Sequence, residues 1–222
     1  MIASASFRRG LRDGAVIFFA VGAFGVAFGV LAVEAGLDRW VVVLTSVIVV
    51  SGAAQFAMIG LLATGAGPVL VATTGLALRH VPMSARLASM IGRRSLPVRL
   101  SMAWVLVDET FGLTVAAADR GEEDLVAYKA AADILLYSGW VVGTVVGAVL
   151  GGRVDPAAWG ADVFFAVMFL GLAAPLVRDR HDVVVGGVAI AATFAAAAVV
   201  PDAWRITAAA GVAGLVGTVR RG

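Results

Sequence analysis

Gly14-Ala-Val-Ile-Phe-Phe-Ala-Val-Gly-Ala-Phe-Gly-Val-Ala-Phe-Gly-Val-Leu-Ala-Val33 carries no charge over its whole length. A helix rises about 1.5 Å per residue, so this run is long enough to cross a hydrocarbon core of about 30 Å. Arg8, Arg9 and Arg12 precede it, as they would in a secretory signal peptide. The run is longer than the apolar part of such a peptide, and Glu34-Ala35-Gly36-Leu37-Asp38 stands where a small-residue cleavage site would be expected. It therefore reads as a retained first transmembrane helix.

The composition extends that reading to the chain. Of 222 residues, 61% are apolar and 14% charged, with a mean hydropathy of +0.97. Soluble domains carry about 25% charged residues, so too little polar surface remains to cover a globule in water. The 27 glycines suit a bilayer, where small residues let helix backbones approach. The length fits one transmembrane domain, residues 1–222. There is no cysteine and there are two histidines, which excludes disulfides and thiolate metal sites and disfavours a histidine cluster. Neither metal nor cofactor is expected. The net charge is +2, but the basic residues flank apolar runs and so set membrane orientation, with no nucleic-acid role. A phosphate-binding G-x-x-x-x-G-K-[ST], a G-x-S-x-G elbow and an H-E-x-x-H pair are all missing, so the sequence does not read as an enzyme.

Further apolar segments follow: Trp40–Ala63, a Gly/Pro turn at residues 64–68, then Val69–Leu78, which is too short to span. Arg79-His80 and Val81-Pro82 interrupt the last of these before Met83–Ile91, so the third segment reads as broken or re-entrant. Leu100–Ala118 is a fourth segment with Asp108-Glu109 near its middle, Ile134–Gly152 a fifth, Val163–Val177 a sixth, Val183–Val200 a seventh and Trp204–Val219 an eighth. The fold class is an all-α integral membrane bundle of seven to eight helical segments.

Charge suggests an orientation. The basic loop Gly92–Arg99 and Arg8–Arg12 both favour the cytoplasm. They share a side if the third segment re-enters, and the acidic loop Asp119–Asp124 then lies outside. An internal echo is present too: Gly25-x-x-x-Gly29, followed by Gly36 and Trp40, and Gly143-x-x-x-Gly147, followed by Gly151 and Trp159, lie 118 positions apart (Gly25 to Gly143). Repeats of this kind are common in transporters, though small-xxx-small spacing also arises readily in glycine-rich helices.

Ionisable residues at membrane depth are functional candidates. Arg79 can bind a carboxylate through both guanidinium branches, and His80 can take up a proton near neutrality; the bland alternative is an interfacial Arg at a helix end. Asp108 and Glu109 point about 100° apart on a helix, so one can meet Arg79 and the other a pore or neighbour; otherwise they serve a packing ion pair. Gln55, in Ser51-Gly-Ala-Ala-Gln55-Phe56, can bond a substrate or act as interhelical glue, and a glycine-rich helix break beside it offers free backbone groups. Phe24, Phe28 and Phe56 can line an apolar pocket.

Phe24-Gly25-x-x-Phe28-Gly29, Ser51-Gly-Ala-Ala-Gln55-Phe56, Leu78-Arg79-His80 with Ser84, and Asp108-Glu109-x-Phe111 occur in this order. With Trp140-x-x-Gly143-Thr144-x-x-Gly147-Ala148-x-x-Gly151 and Gly160-x-Asp162-x-x-Phe165, the set resembles the AzlC family of branched-chain amino-acid permeases over roughly residues 8–182. Ala23 departs from it, standing where Pro is expected before the Phe-Gly pair. The resemblance implies export of leucine, isoleucine, valine and methionine, and a separately encoded small membrane partner of the AzlD type. The expected activity is proton-linked secondary export of hydrophobic amino acids across a bacterial inner (cytoplasmic) membrane. Gln55, Arg79, His80, Phe24 and Phe28 then face substrate, and Asp108 and Glu109 handle the ammonium or the coupled proton. The alternative is a structural subunit of a transport complex with no substrate site of its own.

Overall fold

The computed structural model describes residues 4–153, 177, 179–200 and 202–218. All regular structure among them is helical. They fall into two compact units, one within Met1–Ile59 and Leu76–Val154, the other within Gly60–Gly75 and Asp155–Gly222. The sixth predicted segment, together with Trp159, Gly160, Asp162 and Phe165, lies outside the described residues.

In the first unit, α1 (Ala5–Glu34) begins at Ser4, whose hydroxyl accepts the Phe7 N–H at 3.2 Å, and runs uninterrupted. Its partner is α8 (Leu125–Leu150), which starts nine residues ahead of the predicted fifth segment because Asp124 caps it through the Ala127 N–H. Both are long and apolar enough to cross a membrane. Between them in the sequence lie three segments broken in the middle: α2 (Arg39–Ile48) and α3 (Gly52–Leu61); α4 (Ala66–Ala77), most of which belongs to the second unit, and α5 (His80–Ile91); and α6 (Leu96–Trp104) and α7 (Asp108–Asp119). Each half-helix is too short to span alone.

The sequence predicted the break in the third segment, and its cause is local. Pro82 offers no N–H, and its ring crowds the carbonyl four residues back, at Leu78, where the helix is interrupted. The second segment, Trp40–Ala63, breaks at Val49–Ser51, just before the glycine-rich stretch beside Gln55 where a helix break was expected. Val47-Ile48-Val49-Val50 is β-branched throughout and leads into Ser51-Gly52, a sequence with poor helix propensity, and Val49 turns extended (φ −97°, ψ 93°). The fourth segment starts earlier than expected, with Pro97 in the first turn of α6, and breaks at Val105–Val107. Asp108 and Glu109 then open α7, where the helix dipole favours acids.

The α1–α8 seam is backbone against backbone. A Cβ added at Gly25 would stand 2.6 Å from the Trp140 carbonyl oxygen; one at Gly29, 2.5 Å from that of Thr144; one at Gly139, 2.5 Å from that of Phe18. Gly143 and Gly147 press likewise on the carbonyls of Gly22 and Val26. Gly10 lies against Tyr128, Gly14 against Ala132 and Val33 against Gly151, so the two helices run parallel. Their register is the 118-position offset of the sequence echo, which also separates Glu34 from its partner, the Gly152 N–H, at 2.7 Å.

Parallel packing fixes a topological parity. The start of α1 and the start of α8 lie at the same end of the seam, so the segments between them cross the membrane an odd number of times in total. Re-entry of the third segment alone would give an even number, which corrects the predicted orientation. The acidic loop and the N-terminal arginines share a side, and ion pairs show it directly. Arg9 donates through Nε and Nη2 to both Glu122 oxygens, at 2.7 and 2.6 Å, and Ser6 adds a third bond at 2.6 Å. Asp13 meets Arg120 at 3.4 Å and accepts the Tyr128 hydroxyl at 2.8 Å. Charge counting placed these loops apart because it ignores pairing between them. The bonds from Arg9 and Ser6 hold the Glu122 carboxyl far below its ordinary value, at about 2.

In the second unit, α9 (Arg180–Val199) and α10 (Asp202–Thr218) pack on each other. Asp179 and Asp182 form a reciprocal capping box at the start of α9.

Candidate functional site

Two polar clusters sit along one stripe of α8, immediately beside the glycine seam. The first surrounds the break between α2 and α3. Gln55 is buried there, donating from Nε2 to Ser46 Oγ at 2.9 Å and to Thr45 Oγ1 at 3.4 Å. Trp140 Nε1 donates to Gln55 Oε1 at 2.9 Å. Thr144 gives its hydroxyl proton to the Trp140 carbonyl at 2.9 Å, so Ser46 donates to Thr144 across 2.9 Å. The bonds close into a ring through Gln55, Ser46, Thr144 and Trp140, each donor having an acceptor. Phe28 stacks on the Trp140 indole with centroids 5.8 Å apart, and Phe56 meets both rings edge-on at 5.6 and 6.1 Å. Gly52 lies under the indole, where a Cβ would stand 2.9 Å from Cη2. Phe24, half-buried, sits one turn before Phe28.

The second cluster lies at the other two breaks. Arg79, in the gap between α4 and α5, meets Asp108, at the start of α7, with Nη1 2.8 Å from Oδ2. Their side chains keep 35% and 43% exposure. Glu109 lies within the electrostatic reach of both. His80 is turned back on its own helix end, Nδ1 2.9 Å from the Ala77 carbonyl oxygen. Deeper in, Lys129 Nζ contacts both Asp133 oxygens, at 2.8 and 2.6 Å, and donates to the Val105 carbonyl at 2.9 Å. Lys129 is fully buried.

The structure thus unites Arg79 with Asp108 and Gln55 with Phe28, and puts the two groups in separate clusters. Lys129 and Asp133 are absent from the candidates that the sequence suggests. Two signals marked them: Lys129 is the single lysine of the chain, and the two residues stand four apart in an otherwise apolar helix. On α8, Asp133 and Trp140 are seven residues apart, about 10 Å along the axis, so both clusters share one stripe.

The profile of the family described as AzlC protein matches residues 16–154. A protein of Archaeoglobus fulgidus described as an uncharacterized membrane protein is 32% identical over 86% of this chain and 85% of its own length. The inner membrane protein YgaZ of Escherichia coli is 31% identical over 67% of this chain and 62% of its own. A membrane protein of Helicobacter pylori strain J99 is 28% identical over 69% and 68%. No solved structure matches.

Proposed function

This chain belongs to the AzlC family, and from that membership, with its transport-related role in a membrane, we propose that it exports branched-chain or other hydrophobic amino acids by proton-linked secondary transport. The substrate carries a carboxylate, an ammonium and an apolar side chain. Arg79 takes the carboxylate, with His80 beside it, and Asp108 or Glu109 takes the ammonium. Phe28, with Phe24 one turn away, receives the side chain, and Gln55 holds the indole of Trp140 against that aromatic group. A bacterial inner membrane is the proposed location, in line with the printed name of the Escherichia coli relative, and a small AzlD-type subunit the proposed partner.

The observation that carries this reading is the half-exposed Arg79–Asp108 pair at the junction of two broken segments. A pair that only fixed packing would be closed off from the surface. Unwound backbone and half-helix ends beside charged groups are the construction by which transporters hold small charged solutes.

The test is efflux of labelled leucine from cells preloaded with a leucine dipeptide, expressing this chain with and without its small partner and with and without a protonophore. Faster efflux that collapses with the protonophore supports the proposal. Unchanged efflux in every case removes leucine as substrate and favours the structural-subunit reading.

A further inference from the structure

Lys129 and Asp133 have no part in the substrate contacts just described, and their surroundings are those of a cation site. Val105 closes the C-terminal end of α6, its N–H bonded to the Ser101 carbonyl oxygen at 3.5 Å. The carbonyl of Val105 lies at a half-helix C-terminus, where the dipole favours positive charge. Opposite stands the Asp133 carboxylate, with the buried Thr110 hydroxyl of α7 near it and, among the described residues, without a hydrogen-bond partner of its own. A half-helix C-terminal carbonyl is the kind of group that coordinates a coupling Na+ in transporters with discontinuous helices, and here a carboxylate and a hydroxyl complete an oxygen set beside it. Here the Nζ of Lys129 occupies that set, reaching it from one turn before Asp133 on the same helix.

We propose that Lys129 is a tethered cation in the coupling-ion site, so that export is driven by protons and needs no sodium. This deepens the transporter reading and rests on it. With its proton, the ammonium ties α8 to the carbonyl end of α6. Once the proton has passed from Nζ to water on one side, the neutral amine keeps two N–H groups but no charge, so its hold on carboxylate and carbonyl weakens and α6 is released. A proton regained from the other side restores the tie, so one proton crosses per cycle. Asp133 is the charged group acting on Lys129. The neighbouring charges have other partners: Arg79, Asp108 and Glu109 form one group between α5 and α7, and Asp13 of α1 is held by Tyr128 and Arg120.

The experiment has two arms. In the first, the purified Lys129→Ala protein is melted with and without sodium chloride or n-propylammonium chloride, beside wild type and Lys129→Ala/Asp133→Asn. The expected result is a rise of about 3 °C or more in Lys129→Ala with either cation, and none in the other two proteins. No rise with either cation overturns the cation site and leaves a packing pair. In the second arm, proteoliposomes are assayed for leucine counterflow, which needs no coupling, and for pH-driven efflux in sodium-free medium. Wild type is expected to do both, and Lys129→Ala to keep counterflow and lose pH-driven efflux. Equal pH-driven efflux by both proteins overturns the coupling role, as does a sodium requirement in wild type, which stands as the test if the variant does not insert. Absence of wild-type counterflow is the separate signature of a failed transporter reading, and the melting arm still decides the cation site.

Discussion

Gly25 and Gly143 occupy interchangeable positions across the α1–α8 seam. A Cβ on Gly25 would meet the carbonyl three residues before Gly143, that of Trp140, and a Cβ on Gly143 would meet the carbonyl three residues before Gly25, that of Gly22. Reciprocity of this kind is what a two-fold axis along the helices produces, and it leaves no room for side chains at either position.

Gly143→Val is therefore expected to lower the melting temperature of the purified protein, in line with an overpacking cost of about 1–3 kcal/mol. Gly112→Ala is the contrast, since a Cβ there meets nothing within 4 Å. In α7 it should stabilise by up to about 1 kcal/mol through helix propensity. Equal losses from both would contradict the seam.

The shared side of the N-terminus and the α7–α8 loop is open to labelling, because the chain has no native cysteine. Single cysteines at Ser4 and Glu123 should react with an impermeant maleimide from the same face of the membrane, and one at Leu37 from the opposite face. Labelling of positions 4 and 123 from opposite faces would refute parallel packing.

Arg79→Ala should lower leucine export roughly ten- to a hundredfold while insertion and melting temperature stay close to wild type. A half-exposed ion pair contributes at most about 1 kcal/mol to stability. A charge-assisted bond to a substrate carboxylate is worth about 1.5–3 kcal/mol, roughly ten- to a hundredfold in transport. Full export by the variant ends the carboxylate assignment.

Trp140→Phe removes the donor to Gln55 Oε1 and opens the hydrogen-bond ring, at a stability cost of about 1–3 kcal/mol. Trp40→Phe, at a residue 82% exposed, should leave the melting temperature unchanged. Parallel thermal melts of the two variants decide this.

The depressed Glu122 carboxyl gives a pH signature. In the unfolded chain this group titrates near 4.3, and in the folded one at about 2. Its contribution is present in full above the unfolded value and is lost as pH falls from there through the folded one. Glu122→Gln should thus be less stable than wild type at neutral pH, with the gap closing between about pH 4.3 and 2. A gap constant with pH would show that the Arg9 bond has no such role.

Long uncharged runs made α1, α8 and the late helices legible, because hydropathy registers length directly. Pro82 and Arg79 made the third break legible, and the burden of an Arg at membrane depth pointed to an acid, which Asp108 supplies. The interruption at Val49–Ser51 was foreshadowed by Gly52 beside Gln55, yet the run's hydropathy gave it the look of a continuous span. The ring linking Gln55, Ser46, Thr144 and Trp140 was hidden, since no local spacing tells which face of one helix meets which face of another. The side of the acidic loop was misread for a related reason: net charge describes a loop in isolation, and Glu122 is not isolated from Arg9.

The glycine seam also assigns mechanical roles. Two backbones that touch through their own carbonyls, with no side chains between them to change rotamer, cannot slide or tilt against each other without collision. The α1–α8 pair is thus a stator. Motion that exposes a solute first to one side and then to the other falls to the half-helices hinged at Val49–Ser51, Leu78–Arg79 and Val105–Val107, and Lys129 is the latch between stator and hinge.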